Sequence, residues 1–194
     1  MPRGRDIGLL LQPLSEKNVQ AYFGQGLHTL GLLRWIVRQT GKCTVFVSSY
    51  STSEPFLNGF YLMRQQGCIS RAAILLDCRA AGKTVRLEQL LGNAFDNVFL
   101  GQNHSKVLLV RNKEWKVTAV TSQNQTYGNR AESTIITTDG NVFDQMLRQF
   151  EDCCSDGAVE IDIRNGSGII EANRRICGTA ADTSADRRPL RTRE

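Results

Sequence analysis

The stretch Asn103-His104-Ser105-Lys106-Val107-Leu108-Leu109-Val110, followed after one more short apolar run by Ser122-Gln123-Asn124, decides how this chain is read. A strand repeats every two residues, so a strand over 104–111 projects His104 and Lys106 from one face while Val107 and Leu109 enter the core. An imidazole able to act as nucleophile or acid-base group then stands beside a fixed positive charge. The Ser122 hydroxyl and the Asn124 carboxamide follow at the end of the next strand, and the four groups together make a receptor for a tetrahedral phosphate. A His-x-Lys pair also arises by chance on exposed strands. The Ser122-x-Asn124 sequel and the order of the surrounding elements favour the phosphate reading.

Outward from that stretch the pattern is a βαβ rhythm. The apolar residues Phe23, Leu27, Leu30, Leu33, Trp35 and Val37 predict an amphipathic helix from Ala21 to Gln39, ended by Gly41. Cys43 to Ser48 predicts a buried strand. A helix follows with Ser53 as N-cap, Pro55 in its first turn, and Phe56, Phe60 and Met63 on one face. Ile69 to Asp77 predicts a second buried strand, Thr84 to Ala94 a helix, and Asn97 to Leu100 a return to the sheet. His104–Arg111 and Lys116–Ser122 pair as a hairpin around Asn112-Lys113-Glu114-Trp115, Glu132–Thr138 adds a strand, Val142–Cys154 a helix and Val159–Ile163 a last short strand. The fold class is α/β, a mixed β-sheet flanked by helices, in one domain over residues 1–177. Residues 178–194, with Arg187, Arg188, Arg191 and Arg193, have almost no apolar periodicity and are expected to be a disordered tail.

This arrangement resembles the phospholipase D superfamily, whose motif is read here as His104, Lys106, Ser122 and Asn124, the similarity covering about residues 20 to 155. Two positions depart from the family pattern His-x-Lys-x4-Asp-x6-Gly-Ser-x-Asn: Arg111 stands at the Asp position and Thr121 at the Gly position. His104 and Asn124 are also three residues further apart than the pattern gives, which a longer hairpin absorbs. The resemblance implies an α-β-α sandwich and a metal-independent phosphodiesterase needing no cofactor. It also implies a two-fold homodimer, because a single motif must meet its twin. One His104 would attack phosphorus and the other would protonate the leaving hydroxyl, while Lys106 and Asn124 hold the non-bridging oxygens and Ser122 assists. Glu132, in the region where family members carry an acidic residue, would orient the histidine; as an exposed acid opening a strand it would do nothing of the kind.

Charge points the same way. The net charge is +5, and residues 34–116 hold 12 Lys or Arg against 5 Asp or Glu, whereas residues 132–163 hold 8 acidic residues against 1 basic. A polyanion is therefore drawn toward the His104 side, and nucleic acid, DNA in preference to RNA, is the expected partner. Arg34 interrupts the most apolar segment and Leu9-Leu10-Leu11 is too short for a signal core, so the reading is a cytoplasmic protein without a membrane span. Six cysteines lie scattered in a chain long enough to form a core without cross-links, and with two histidines a zinc site is not expected.

Several residues carry alternative readings. Ser48-Ser49-Tyr50-Ser51 follows the first buried strand and is either an anion-binding turn or a capped loop. Trp115 and Tyr127 either stack on bases or, for Trp115, pin the hairpin. His28 lies beside Leu27 and Leu30 and is read as structural. Two rival functions remain at this level: a catalytically silent relative that binds nucleic acid, and a phospholipid or other phosphoester hydrolase.

Overall fold

The computed structural model describes residues 7–125, 130–162, 169 and 176. Their backbone forms one eight-stranded sheet in the order β1-β7-β6-β5-β2-β3-β4-β8. The strands are β1 (Val19–Gly24), β2 (Cys43–Ser49), β3 (Ile69–Asp77), β4 (Asn97–Gly101), β5 (Val107–Arg111), β6 (Lys116–Thr121), β7 (Glu132–Thr137) and β8 (Ala158–Glu160). β2, β3 and β4 are parallel to one another, and every other pairing is antiparallel. The helices are α1 (Thr29–Thr40), α2 (Glu54–Gln65), the single turn α3 (Ala81–Thr84), α4 (Glu88–Ala94) and α5 (Gly140–Asp156). The expected mixed sheet with flanking helices is therefore the observed class.

The central strands are buried on both faces, which is why they read as continuous apolar runs. On one face Leu108 and Val110 of β5, Val45 and Val47 of β2 and Ile74 and Leu76 of β3 pack with Leu33 and Ile36 of α1, Leu57 and Phe60 of α2 and Leu91 of α4. Phe60 sits between Phe56 and Phe95, its ring 4.4 Å from that of Phe95. On the other face Val107 and Leu109 pack under Phe143 and Leu147 of α5, with Phe46 and Phe150 beside them. Val107 and Leu109 thus enter a core as expected, and the residues between them enter a second one.

Four expectations need correction. Residues 19–24 form a strand, not the start of a helix: Gln20 is buried between exposed neighbours, and Gly24 and Gly26, at φ 153° and 102°, break the chain before α1 begins. His28 consequently occupies the N-cap position of α1. Ser53 holds the N-cap position of α2, but its hydroxyl donates to the Gln125 carbonyl at 2.7 Å and does not cap the helix. The helix expected from Thr84 is interrupted by a 3-10 turn at Val85–Leu87 and resumes at Glu88. Lastly, β5 begins at Val107, so His104 and Lys106 stand on the loop before it.

α5 starts two residues earlier than its apolar pattern shows, because Asp139 caps it by accepting from the amides of Asn141 and Val142 at 2.8 and 3.1 Å. Cys43, Cys68, Cys78, Cys153 and Cys154 are free thiols, and burial first of all pushes Cys43 and Cys154 up to about 12. Among the described residues no helix is long and apolar enough to cross a membrane. Residues 178–194 and Tyr127 lie outside the described residues.

Candidate functional site

The antiparallel pairings bring the C-terminal ends of β2, β3 and β4 together with the N-terminal end of β5, the C-terminal end of β6 and the N-terminal end of β7. This is the end of the sheet where α/β proteins place ligands, because the chain there leaves the sheet in loops. All five residues singled out in the sequence, His104, Lys106, Ser122, Asn124 and Glu132, lie on those loops or strand ends.

His104 is exposed and Lys106 is buried, with 9% of its surface accessible. The Lys106 Nζ lies 3.3 Å from His104 Nδ1 and 3.4 Å from Nε2, and it donates to the His104 carbonyl at 2.6 Å. The ammonium is thus folded back against the ring. Burial holds the Lys106 pKa below the ordinary lysine value, with the charges of Glu132 and Asp77 opposing that shift. The Tyr50 and His104 rings also meet edge to face, their centroids 5.5 Å apart.

Ser122 and Glu132 form the second pair. The Ser122 hydroxyl donates to Glu132 Oε2 and accepts from the Ser133 amide at 3.0 Å. The described hydrogen bond of Glu132 therefore goes to Ser122, and its charge acts on Lys106; no bond from Glu132 to His104 is found among the described residues. Asn124 is half-buried, its Oδ1 without a hydrogen-bond partner, in a small cavity of about 60 Å³ that it shares with Gln125, His28 and the first residues of α1 and α2. The two pairs are connected through Glu132 and Lys106, while Asn124 stands on the helix side of the same sheet end.

A buried carboxamide that the sequence reading passed over holds the His104 loop in place. Asn103 Nδ2 donates to Ser48 Oγ, Ser49 O and Leu75 O at 2.9, 3.2 and 3.1 Å, and Asn103 Oδ1 accepts from the Ser105 amide and hydroxyl at 3.0 and 2.7 Å. The Asn103 amide donates to Asp77 Oδ2 at 2.8 Å, and Ser48 and Ser105 share a further hydroxyl contact. One side chain thereby ties β2, β3 and the loop together, which fixes the backbone on both sides of His104. The signal was present in the sequence as an Asn before the motif, but Asn is common in loops and nothing local marks it as buried.

The Ser48–Ser51 turn is part of this scaffold. Ser49 Oγ donates to Ser51 O at 2.8 Å and accepts from the Gln125 amide at 3.3 Å. Gln123, between the two motif residues, is buried and accepts from Thr29 through its amide and hydroxyl at 2.9 and 3.2 Å, with its Nε2 3.4 Å from His28 Nδ1. His28, expected inside a helix, instead stands at the N-cap position of α1 beside this buried carboxamide. Trp115 sits in the β5–β6 turn at the opposite end of the sheet, half-buried against the core, so it pins the hairpin and does not reach the site.

The two departures from the motif are harmless to this geometry. Arg111 is at the far end of β5, its guanidinium 5.3 Å over the Phe46 ring. Thr121 Oγ1 donates to Ser133 O at 3.1 Å and lies 3.0 Å from the Thr134 hydroxyl, strapping β6 to β7.

No protein-family model and no curated protein matches the sequence. Solved structures do match it. The chain is similar to Nuc from Salmonella typhimurium, a phospholipase D family member, at 16% identity and TM-score 0.54, covering 72% of this chain and 96% of that one. The chain shares the fold of that structure. NucT from Helicobacter pylori is similar at 14% identity and TM-score 0.52, covering 73% of this chain and 98% of that one. A phosphatidylserine synthase from Haemophilus influenzae Rd KW20 gives 11% identity and TM-score 0.56, over 87% of this chain and 46% of that one. On this shared fold, His104 and Lys106 occupy the end of the sheet where the loops gather.

Proposed function

We propose that this protein is a metal-independent phosphodiesterase acting on nucleic acid, DNA before RNA, through a phosphohistidine formed where two copies meet. The observation that carries the reading is the solvent-facing His104 imidazole held against the buried Lys106 ammonium, on a loop fixed by Asn103. The uneven charge supports a polyanionic substrate, since the basic segment 34–116 contains the pair. The similarity to a phospholipase D family member is consistent with phosphodiester chemistry.

In this mechanism one His104 attacks phosphorus with a ring-nitrogen lone pair. An N–P bond forms as the bond from phosphorus to the leaving oxygen breaks, and the protonated His104 of the second copy delivers its proton to that oxygen. Water then attacks the phosphohistidine, giving a proton to the second His104 as the N–P bond breaks, so both rings return to their starting states. Lys106 stabilises the charge on the non-bridging oxygens, and Ser122 adds a hydrogen bond when its single O–H turns from Glu132 to the phosphate. Asn124, on the helix side of the same sheet end, joins the phosphate cradle only if its side chain turns out of its small cavity toward Lys106.

The test is cleavage of plasmid and single-stranded DNA in excess chelator. Wild type cleaves, His104→Ala does not, and acid-labile label from a phosphorylated substrate appears on the wild-type protein alone. Binding without cleavage of any strand would instead establish a silent nucleic-acid-binding protein.

A further inference from the structure

The face of the sheet under α5 is covered over β5, where Val107 and Leu109 meet Phe143 and Leu147. Cross-strand pairing follows that same face outward: Val107 pairs with Val120, Val120 with Ile135, and Ile135 with Ala21. α5 still covers Thr118 of β6 and bonds Lys116 through Asp144, but from Val120 outward the cover ends. Phe23 is 81% exposed, Ile135 55%, Val19 51% and Val120 43%. These four and Ala21 form one continuous apolar strip across β6, β7 and β1. An apolar surface of this kind, on a sheet otherwise buried, marks a docking site.

We propose that this strip is where a second copy of the chain docks; the proposal rests on the dimeric reading above and names the surface that makes the dimer. Three features select a second copy. First, the exposed positions of the strip, Val19, Ala21, Phe23, Val120, Ser133 and Ile135, carry no ionisable side chain, and Lys116 at the far end of the same face of β6 is already paired with Asp144 of α5. An isologous contact sets a patch against itself, so a charged patch would repel its twin, and on a chain of net charge +5 a neutral strip is the surface that avoids this. The same neutrality makes it unsuited to a nucleic-acid backbone.

Second, the strip leads to the site. Phe23 pairs with Ser133, whose amide donates to Ser122 Oγ, and Gly24 pairs with Glu132. Two copies stacked here bring those strand ends into the contact.

Third, size requires the contact to spread. Three strands about 4.8 Å apart and six residues long, at about 3.3 Å each, present roughly 300 Å². A stable dimer buries about 800 Å² on each partner. The strip is therefore the apolar centre, and the remainder comes from its surroundings: the exposed Val142 side of α5 and the loops carrying Ser122, Glu132 and His104.

The experiment is sedimentation equilibrium of the full chain, wild type against Phe23→Glu and Ile135→Glu, with circular dichroism melts to establish folding. Wild type should be a dimer, and each variant should be folded with its dimer dissociation constant raised about 30-fold or more, as loss of an interface anchor does. If a carboxylate unfolds the chain, Phe23→Ser combined with Ile135→Thr, side chains an exposed strand accommodates, reads the same equilibrium. Folded variants that stay dimeric overturn the assignment of this face while leaving the dimeric enzyme intact. A wild type that stays monomeric at its highest attainable concentration overturns it as well, and points to another segment of the same chain as the occupant. A wild-type dimer that the variants dissociate, but that cleaves nothing in chelator, sustains this face and removes the proposed activity.

Discussion

Replacing Asn103 by Asp changes almost no volume and one atom's chemistry, so its consequence follows from the hydrogen bonds of one group. The side-chain NH₂ donates to Ser48 Oγ, Ser49 O and Leu75 O. In Asn103→Asp an oxygen takes its place. The Ser48 hydroxyl is able to rotate and donate to it, but the two carbonyls cannot. They lose their donor and face a negative oxygen at the former distances of 3.2 and 3.1 Å. A buried polar group left without its partner costs about 1–3 kcal/mol, so two cost roughly 2–6 kcal/mol, centred near 4. For a chain of this length that lowers Tm by roughly 8–16 °C. Buried among acceptors and near Asp77, the new carboxyl titrates above its unfolded value. Its destabilisation is therefore complete above that raised pKa and fades as pH falls toward and below the unfolded one, where both states are protonated. Urea unfolding of both proteins at neutral and acidic pH measures this, and cleavage of DNA below the variant's melting temperature should fall at least about 10–100-fold, as a displaced catalytic loop causes. A deficit under about 1 kcal/mol at neutral pH, or one that does not shrink on acidification, would refute the scaffold role of Asn103.

Two further outcomes are expected. Because burial lowers the Lys106 pKa, its ammonium is lost at a pH below the ordinary lysine value, so on the proposed mechanism kcat/KM for cleavage should decline on the alkaline side before that value is reached. Lys106→Arg, if it retains activity, should carry the decline to much higher pH, and an unmoved limb would assign it to another group. At Asp96 burial acts to raise the carboxyl, but the hydrogen bond from Arg64, the Ala72 amide and the charges of Arg64 and Arg71 outweigh it and hold it below the usual range. The side chain is 42% exposed, so screening limits Asp96→Asn to a loss of about 0.5–1 kcal/mol. That loss should be present above the unfolded carboxylate pKa and vanish as pH falls through the lower folded one, a trend urea midpoints at several pH values would reveal.

Much of the fold was legible because the central strands are apolar on both sides and bounded by Gly, Pro or Ser, as β2, α2 and β3 show. β1 was not legible. Leu27, Leu30 and Leu33 continue at helical spacing straight after Phe23, and only pairing with β7 reveals that the residues before Gly24 are extended. Phe23 reads as part of that amphipathic helix for the same reason, whereas it is the most exposed residue of the apolar strip.

At the site, sequence spacing alone determined that an imidazole and an ammonium stand two residues apart, ahead of a hairpin that returns a hydroxyl and a carboxamide to the same end. Periodicity and turn chemistry are local, so a chain encodes them within a few residues. The tertiary structure decided the rest: that the two groups lie on a loop, that Asn103 anchors it, that Ser122 is the partner of Glu132, and that Arg111 is remote. Those facts depend on contacts between residues tens of positions apart, such as Asn103 with Ser48 and Thr29 with Gln123, which form only when the whole sheet closes.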